Sequence, residues 1–272
     1  MLQIWAFTFF LITGCNVNSP YENRDNKNAS VIYSTPKQNT SKVIHVFVAL
    51  CDNVNQGIVK VSPKIGNGQD QVNNLYWGAA YGVKSYFKKQ TDWQFIKSWK
   101  YNDTILERCI FKHKTSNTYL IADAYDGKHI KQSTINFLKS CAGRFDDNIK
   151  MGKDLIYSGG NADLIAFIGH DGLMDFNIYQ SFSKANDKKR ESIILACISK
   201  KYFSSHLKST GAHPLLWSTG LMSPEAYTLK AAIDGWLKKE SAEEIRTRAA
   251  NAYHQYQKCG LKAAKNLLVT GW

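Results

Sequence analysis

Five short apolar segments constrain the fold of this chain more than any other feature. Each is rich in β-branched or aromatic residues and ends in polar residues or glycine, as buried strands do. The segments are residues 43–50, 118–122, 163–168, 192–196 and 213–217. Helical patterns separate most of them, and continuous apolar strands that alternate with helices predict a mostly parallel sheet covered on both faces.

The stretches between these segments contain helical patterns, a hairpin and a long loop. Apolar residues recur at helical spacing in three ranges, which are residues 74–89, 131–140 and 200–208. An additional hairpin is predicted before the second strand, with residues 105–111 followed by a turn at residues 115–117. Residues 57–73 are polar and glycine-containing, so we expect a loop over one end of the sheet.

The last third of the chain is predicted to be helical. Residues 223–225, Ser-Pro-Glu, combine an N-cap residue with proline at the first helical position. Residues 241–244 form a capping box for a second helix, with Gly260 as its C-terminal cap. A final turn or two is expected over residues 261–268.

We expect residues 42–272 to form a single α/β domain, because the sequence shows no internal repeat and no second apolar core. The predicted architecture is a mostly parallel sheet of about five or six strands with helices on both faces.

The first 15 residues are typical of a bacterial lipoprotein signal. Residues 1–14 contain no charged side chain and are too few to span a bilayer, which suits the apolar region of a signal peptide. Residues 11–15, Leu-Ile-Thr-Gly-Cys, resemble a lipobox, which implies that Cys15 is lipidated. An ordinary cleaved signal and a structural apolar segment remain the alternatives, because the usual Lys or Arg is missing from the start of the signal.

Residues 16–41 are rich in Asn, Ser, Lys and Thr, and this composition predicts a flexible tether between the lipid and the domain. The expected location is the bacterial cell envelope, with the protein lipid-anchored in the periplasm or on the outer surface. The membrane, reached through the lipid on Cys15, is therefore one expected partner.

Net charge and cysteine count limit the other partners and the redox state. The formal net charge is +13, and basic proteins are attracted to nucleic acid and anionic lipid. Zinc-finger spacing, RRM-type aromatic signatures and long basic runs are absent from the sequence, so no nucleic-acid partner is expected. If Cys15 is lipidated, five of the six cysteines remain, and the odd number leaves at least one thiol unpaired. The sequence does not indicate an oligomeric state.

Reactive residues follow the predicted strands at their carboxyl ends, where open α/β sheets bind ligands. His170 follows the third strand and Cys197 the fourth, and strands consecutive in sequence are usually neighbours about 4.8 Å apart. A nearby histidine lowers the pKa of a thiol and can protonate a leaving amine, so this pair predicts nucleophilic catalysis. The N–H of Gly172 is a candidate oxyanion donor, and Asp171 or Asp175 a candidate for orienting the imidazole.

The two blocks that carry these residues, 164–172 and 193–197, resemble the clan CD cysteine peptidases, which include caspases, legumains, gingipains and clostripain-like enzymes. The resemblance covers roughly residues 43–220 and implies a caspase-like three-layer sandwich, with Cys197 as nucleophile and His170 as general acid and base. The chain departs from the group in placing an aspartate directly after the histidine and in lacking the caspase-type Gln-Ala-Cys-x-Gly sequence.

The resemblance also implies a position for the pocket that binds a peptide or protein substrate. The segment after the fifth strand corresponds to the primary specificity pocket of that group, and its expected lining residues are Trp217, Ser218 and Thr219. Asp52 and Asp123, at the ends of other strands, are expected there too, with an Asx-turn before Gly127 as the alternative for Asp123. Glu225 is either a partner for a basic substrate side chain or a helix N-terminal residue.

Two other functions remain open from the sequence. His170, Asp171, Asp175 and Cys197 are metal-ligand types, but no HxxEH or CxxC spacing accompanies them, so no metal and no cofactor are expected. A fold does not guarantee activity, so a non-enzymatic surface or periplasmic lipoprotein with a binding or assembly role is the alternative to an exported cysteine peptidase. Cys197 would then be a structural cysteine.

Overall fold

The five predicted apolar segments are strands of one sheet in the computed structural model, which describes residues 35–152 and 154–272. The predicted signal peptide, Cys15 and most of the predicted tether lie outside these residues. In chain order the elements are β1 (Lys42–Ala49), α1 (Val83–Lys88), β2 (Trp93–Trp99), β3 (Ile105–His113), β4 (Thr118–Tyr125), α2 (Ile130–Cys141), β5 (Asp146–Met151), β6 (Asp154–Gly159), β7 (Leu164–Ile168), β8 (Glu191–Leu195), α3 (Ser199–Thr210), β9 (His213–Ser218), α4 (Ala226–Leu237), α5 (Ala242–Gln257), α6 (Leu261–Leu267) and β10 (Leu268–Val269).

The central sheet has the strand order β10-β9-β8-β7-β1-β4-β3-β2. The strands from β9 to β4 are parallel, whereas β10, β3 and β2 pair antiparallel at the two edges. The α/β class and the mostly parallel sheet are therefore confirmed. The predicted number of about five or six strands was too low. In the described part of the chain this sheet has eight strands.

The strands that the sequence analysis missed lie at the edges or outside the central sheet. The strand β2 is half-exposed and carries Gln, Lys and Ser, so it has no continuous apolar run. The strands β5 and β6 form a separate antiparallel hairpin that packs against β1 and α2. The strand β10 has only two residues, taken from the end of the predicted last helix. Continuous apolar runs are typical only of strands buried on both faces.

The helix predicted over residues 74–89 was wrong in its first half, because α1 is the only helical part of it. The side chain of Asn74 accepts a hydrogen bond from the N–H of Cys51 and donates to the carbonyl oxygens of Cys51 and Asn67, which holds the segment in turns. A Cβ on Gly82 would lie 2.4 Å from the backbone of Trp77, so only glycine permits this close return of the chain.

Two apolar cores cover the two faces of the sheet. Along β1, Ile44, Val46 and Val48 contribute to the core shared with α1, α4 and α5. Val43 and Phe47 contribute to the core shared with α2 and α3. Full burial of each such side chain contributes about 1.5–3 kcal/mol to folding, so the alternation along β1 fixes which helices lie on which face.

The C-terminal helices begin and end near the predicted residues. The capping box of α5 is confirmed. The N-cap residue of α4 is Glu225 rather than Ser223, and Gly260 precedes α6 instead of capping α5. The described residues belong to one compact unit, and no helix among them is long and apolar enough to cross a membrane.

Candidate active site

His170 and Cys197 follow the carboxyl ends of two neighbouring parallel strands. The last paired residues of β7 and β8 are Ile168 and Leu195, and each of the two reactive residues comes two positions later. The N–H of Gly169 donates to the carbonyl oxygen of Leu195 over 3.3 Å, which keeps the two chains together beyond the sheet. The predicted adjacency of the two strand ends is therefore confirmed.

Cys197 lies on a sharp turn between β8 and α3. The next residue, Ile198, has left-handed backbone angles (φ 52°, ψ 30°), which are rare for a β-branched residue. Such strain costs of order 1–3 kcal/mol and concentrates at functional sites. Ser199 secures the turn, because its Oγ donates to the carbonyl oxygen of Ile194 over 2.9 Å. The strained residue therefore lies directly after Cys197, between β8 and α3.

The imidazole of His170 is held by an aspartate. Its Nε2 lies 2.7 Å from Oδ2 of Asp175, and the N–H of Gly57 donates to the same oxygen over 2.9 Å. When a carboxylate oxygen accepts a hydrogen bond from Nε2–H, the neutral imidazole has its proton on Nε2 and its free lone pair on Nδ1. His170 is therefore oriented by Asp175, and its Nδ1 is left without a partner among the described residues.

The turn that carries His170 depends on glycine. Gly169 has φ 145°, and a Cβ there would lie 2.7 Å from the carbonyl oxygen of Ala49 on β1. Any side chain at this position would force β7 away from β1 or move the turn. Glycine therefore allows the histidine to follow directly from the end of a central strand.

Cys197 and His170 line one cleft of about 390 Å³. Its walls come from the loop at residues 57–61, from residues 75–76 and from residues 221–225, and they are mainly apolar. Val59 and Leu221 lie on these walls with exposed fractions of 91% and 71%. Apolar side chains left in water beside two reactive groups are typical of a surface that binds a ligand.

A larger depression of about 600 Å³ lies on α5 and the end of α4. Its lining includes Glu240, Glu244 and Arg248 but neither a cysteine nor a histidine. The smaller cleft is therefore the better candidate for chemistry, because a cysteine and a histidine line it.

The surroundings of Cys197 raise the pKa of its thiol above the ordinary value. Burial raises its pKa, and the charge of Asp171 raises it further, while the N–H of Met222 acts in the opposite direction. That N–H lies 3.4 Å from Sγ, and the carbonyl oxygen of the same residue lies 3.5 Å from it. Within the part of the chain that the structure describes, no hydrogen bond joins Cys197 to His170. The two groups share a cleft without forming a resting thiolate–imidazolium pair.

Asp171 does not fill the orienting role predicted for it. Its Oδ1 accepts from the N–H of Leu173 and so caps the short turn that follows, while its Oδ2 is buried without a partner among the described residues. Burial raises the pKa of Asp171 to about 7. The orienting carboxylate is Asp175, the second of the two candidates, because the turn at residues 172–174 brings it back towards His170.

Backbone donors for an oxyanion are available near the strand ends. Among the described residues, the N–H groups of Gly172 and Cys197 have no acceptor in the protein. The role predicted for Gly172 stays a prediction. The N–H of Cys197 was missed by the sequence analysis, although a nucleophile on a sharp turn often contributes its own N–H to such a site.

The residues predicted from the fifth strand to line the substrate pocket do not line this cleft. Trp217 is fully buried, and its Nε1–H donates to the carbonyl oxygen of Gly271 over 3.0 Å. Ser218 is buried against Ser199, and Thr219 is exposed with its hydroxyl on the carbonyl oxygen of Asn266. These placements were wrong because the chain leaving β9 first packs against α6 and β10. It reaches the cleft only at residues 221–225.

The two aspartates predicted for the pocket were also misplaced. Asp52 is buried and caps its own loop by accepting from the N–H groups of Val54 and Asn55. Asp123 is fully buried between Arg108 and His45, with an ion pair of 2.6 Å to Arg108 and a hydrogen-bond distance of 3.0 Å to Nε2 of His45. A carboxylate that is buried and bonded this fully is closed to substrate.

The missed lining residues belong to loops. Ile58 and Val59 lie in the segment that the sequence analysis treated as a polar loop, and Leu221 lies beyond the residues that it assigned to the pocket. Their apolar character in loops was the signal available in the sequence, since loops that carry function often expose such residues.

The described cysteines form no disulfide. Cys51, Cys109 and Cys141 are buried, Cys197 is half-buried and Cys259 is exposed. Among the residues that the structure describes, no group of three or more His, Cys, Asp or Glu side chains is arranged to hold a metal ion.

No protein-family model, no curated protein and no solved structure matches this chain.

Proposed function

We propose that this chain is an exported cysteine peptidase that hydrolyses peptide bonds with Cys197 as nucleophile and His170 as general base and acid. The observation that carries the proposal is the position of the two residues, two positions beyond the paired ends of adjacent parallel strands and in one cleft. The strained turn at Ile198 and the pairing of His170 with Asp175 support it, because both fix the geometry of a reactive group.

The proposed reaction begins from the neutral thiol. Nδ1 of His170 takes the proton of Cys197 as the sulfur attacks the carbonyl carbon of the substrate, and Asp175 stabilises the imidazolium through Nε2–H. N–H groups such as those of Cys197 and Gly172 hold the oxyanion. The imidazolium then gives its proton to the leaving amine, and a thioester remains on Cys197. Water, deprotonated by His170, hydrolyses the thioester and regenerates the thiol.

The caspase-like fold and the lipid anchor belong to the same proposal. The mostly parallel sheet with helix layers on both faces supports this part of the proposal, because a caspase-like sandwich has these layers. A lipid on Cys15 and the predicted tether would hold the domain at the surface of a bacterial membrane. Because Lys37 and Asn39 hydrogen-bond to Asn161 and Tyr157 of the domain, only residues 16–36 can act as the tether, with a reach of at most roughly 75 Å.

The test is hydrolysis of a mixed peptide library by the full chain, with the new termini identified by mass spectrometry. We expect cleavage by the wild-type chain and loss of at least about a thousandfold in rate in Cys197→Ala and in His170→Ala. The matched control is Cys259→Ser, which removes an exposed thiol outside the cleft and should cleave at the wild-type rate. Cleavage that survives Cys197→Ala would refute the proposal.

The raised pKa of Cys197 favours one second candidate, a non-enzymatic lipoprotein that binds a partner in the same cleft. Such a protein needs an apolar groove and no ionised thiol. It would bind peptides equally well with and without the sulfur of Cys197, and no variant would change the length of those peptides.

A further inference from the structure

Glu225 has a position in the cleft that its helix does not explain. It is the N-cap residue of α4, but its side chain makes no hydrogen bond to the backbone of that helix. Its Oε2 instead accepts from the hydroxyl of Tyr227 over 2.9 Å and from Nε2 of Gln257 over 3.2 Å. These two donors hold the carboxylate on the wall of the cleft.

The carboxylate lacks a positive partner. Within the described residues Glu225 forms no ion pair, and its Oε1 accepts no hydrogen bond. Burial raises the pKa of Glu225, and the hydrogen bond from Tyr227 offsets this effect only in part. A half-buried anion without a counter-charge is costly, and a cationic ligand would remove that cost.

The rest of the cleft suits a long cationic side chain. Glu225 is the only carboxylate that lines it in the described structure, and the other charged lining residue, Lys60, is exposed. Leu75, Tyr76 and Leu221 supply apolar walls that could cover the methylene stem of a lysine or arginine.

The position of Glu225 relative to Cys197 also suits the binding of a cationic side chain. The backbone of Met222 contacts Sγ of Cys197, and Glu225 follows three residues later on the same wall. Tyr76 lines the cleft together with Cys197 and Glu225; burial raises its pKa well above the usual value, and the charges of Cys51, Cys197 and Glu225 raise it further. A substrate whose carbonyl carbon lies at Cys197 can therefore extend one side chain towards Glu225.

We infer that Glu225 selects peptides with arginine or lysine at the residue whose carbonyl is attacked. The inference rests on the proposed peptidase function, since it names the substrate class of the same cleft. The whole chain carries a net charge of +13 and repels cationic peptides at long range, so the preference must arise locally at Glu225.

The first test compares kcat/KM for peptides that differ only in that residue, with arginine, lysine, norleucine or aspartate. Norleucine matches the stem of lysine without its charge. We expect the cationic peptides to exceed norleucine by roughly tenfold to a hundredfold, the effect of one hydrogen-bonded ion pair. Glu225→Gln should reduce that ratio to about one. Glu243→Gln, a matched change of an exposed carboxylate on α5 paired with Arg246, should keep the wild-type ratio.

A second test does not need turnover. Iodoacetamide alkylates Cys197 and the exposed Cys259, and the rate at Cys259 serves as an internal reference. Nα-acetyl-arginine methylamide should slow alkylation of Cys197 in the wild-type chain and not in Glu225→Gln, whereas the norleucine analogue should have a weaker effect.

The two tests separate the two proposals. If no peptide is cleaved but the arginine compound still protects Cys197 through Glu225, the cationic site stands and the peptidase proposal fails. If peptides are cleaved without a cationic preference, or if Glu225→Gln leaves the preference intact, the inference about Glu225 is overturned and the peptidase proposal stands. Absence of both cleavage and protection overturns both.

Discussion

Replacing Gly57 by alanine should disturb the orientation of the His170 imidazole without changing His170 itself. A Cβ at this position would lie 2.4 Å from Oδ1 and 3.0 Å from Cγ of Asp175, so that carboxylate would have to move. The movement breaks the bonds that Asp175 accepts from His170 and from the N–H of Gly57. The φ angle of Gly57 is not positive, so its backbone accepts alanine and the effect comes from the contact alone.

The magnitude follows from these two bonds. Hydrogen bonds to a charged group contribute about 1.5–3 kcal/mol each when fully protected from water, and the half-exposed Asp175 gives less. Alanine also increases the free energy of unfolding by about 0.4–1 kcal/mol, because it restricts the conformations of the unfolded chain. We therefore expect a net loss of about 1–2 kcal/mol, which lowers Tm by roughly 2–8 °C. Peptide hydrolysis should fall by about tenfold to a hundredfold, because the imidazole loses its fixed orientation.

Thermal denaturation and hydrolysis rates measure the two effects, with Val54→Ala as the control. Val54 is an exposed residue in the same loop and does not line the cleft, so its replacement should leave Tm and rate at wild-type values. If Gly57→Ala keeps full activity, the idea that Asp175 must hold His170 is wrong.

Three further predictions concern the charged groups. Asp175→Asn should lower kcat by about 10²–10⁴ because the amide no longer fixes Nε2–H on His170, while iodoacetamide should still alkylate Cys197; an unchanged kcat would contradict this role. Asp123→Asn should cost about 1.5–3 kcal/mol in urea denaturation, because the buried Arg108 would lose one of its two carboxylate partners and keep only Asp147. Burial alone would raise the pKa of Asp123, but the charge of Arg108 and the hydrogen bonds from Arg108 and His45 outweigh it and hold that pKa well below its usual range. The wild-type chain should therefore keep this stabilisation above the unfolded pKa of about 3.9 and lose it as pH falls further, a dependence that Asp123→Asn should lack. The pKa of Cys197 is raised, so its alkylation rate in the free protein should keep increasing at pH values above about 8.5, the pKa at which the rate for a free cysteine begins to level off. A plateau at lower pH would indicate a preformed ion pair with His170.

The central sheet could be predicted because its signal is local. The segments that became β1, β7 and β8 are continuous apolar runs, and such runs occur in strands buried on both faces. The same argument predicted that His170 and Cys197 end neighbouring strands. The sequences of the missed edge strands contain no continuous apolar run, so the predicted number of strands was too low.

The walls of the cleft could not be predicted, because they depend on how loops return over the sheet. Trp217 was expected to line the pocket, yet the chain beyond β9 first packs on the C-terminal segment and reaches the cleft only at Leu221 and Glu225. Asp171 and Asp175 were equivalent in the sequence, and only the three-residue turn between them decides which carboxylate meets His170. These outcomes depend on tertiary contacts that periodicity does not encode.

The most direct test of the central claim is the rate at which a peptidyl acyloxymethyl ketone labels Cys197 in the native full chain, read by mass spectrometry of the modified peptide. This reagent reacts slowly with ordinary thiols and rapidly with a thiol activated by a base in a peptide-binding cleft. We predict rapid labelling at Cys197 alone, slowed by about a hundredfold or more in His170→Ala. Labelling of Cys197 at the same rate in His170→Ala, or no faster than that of Cys259, would contradict the assignment of these two residues as a catalytic pair.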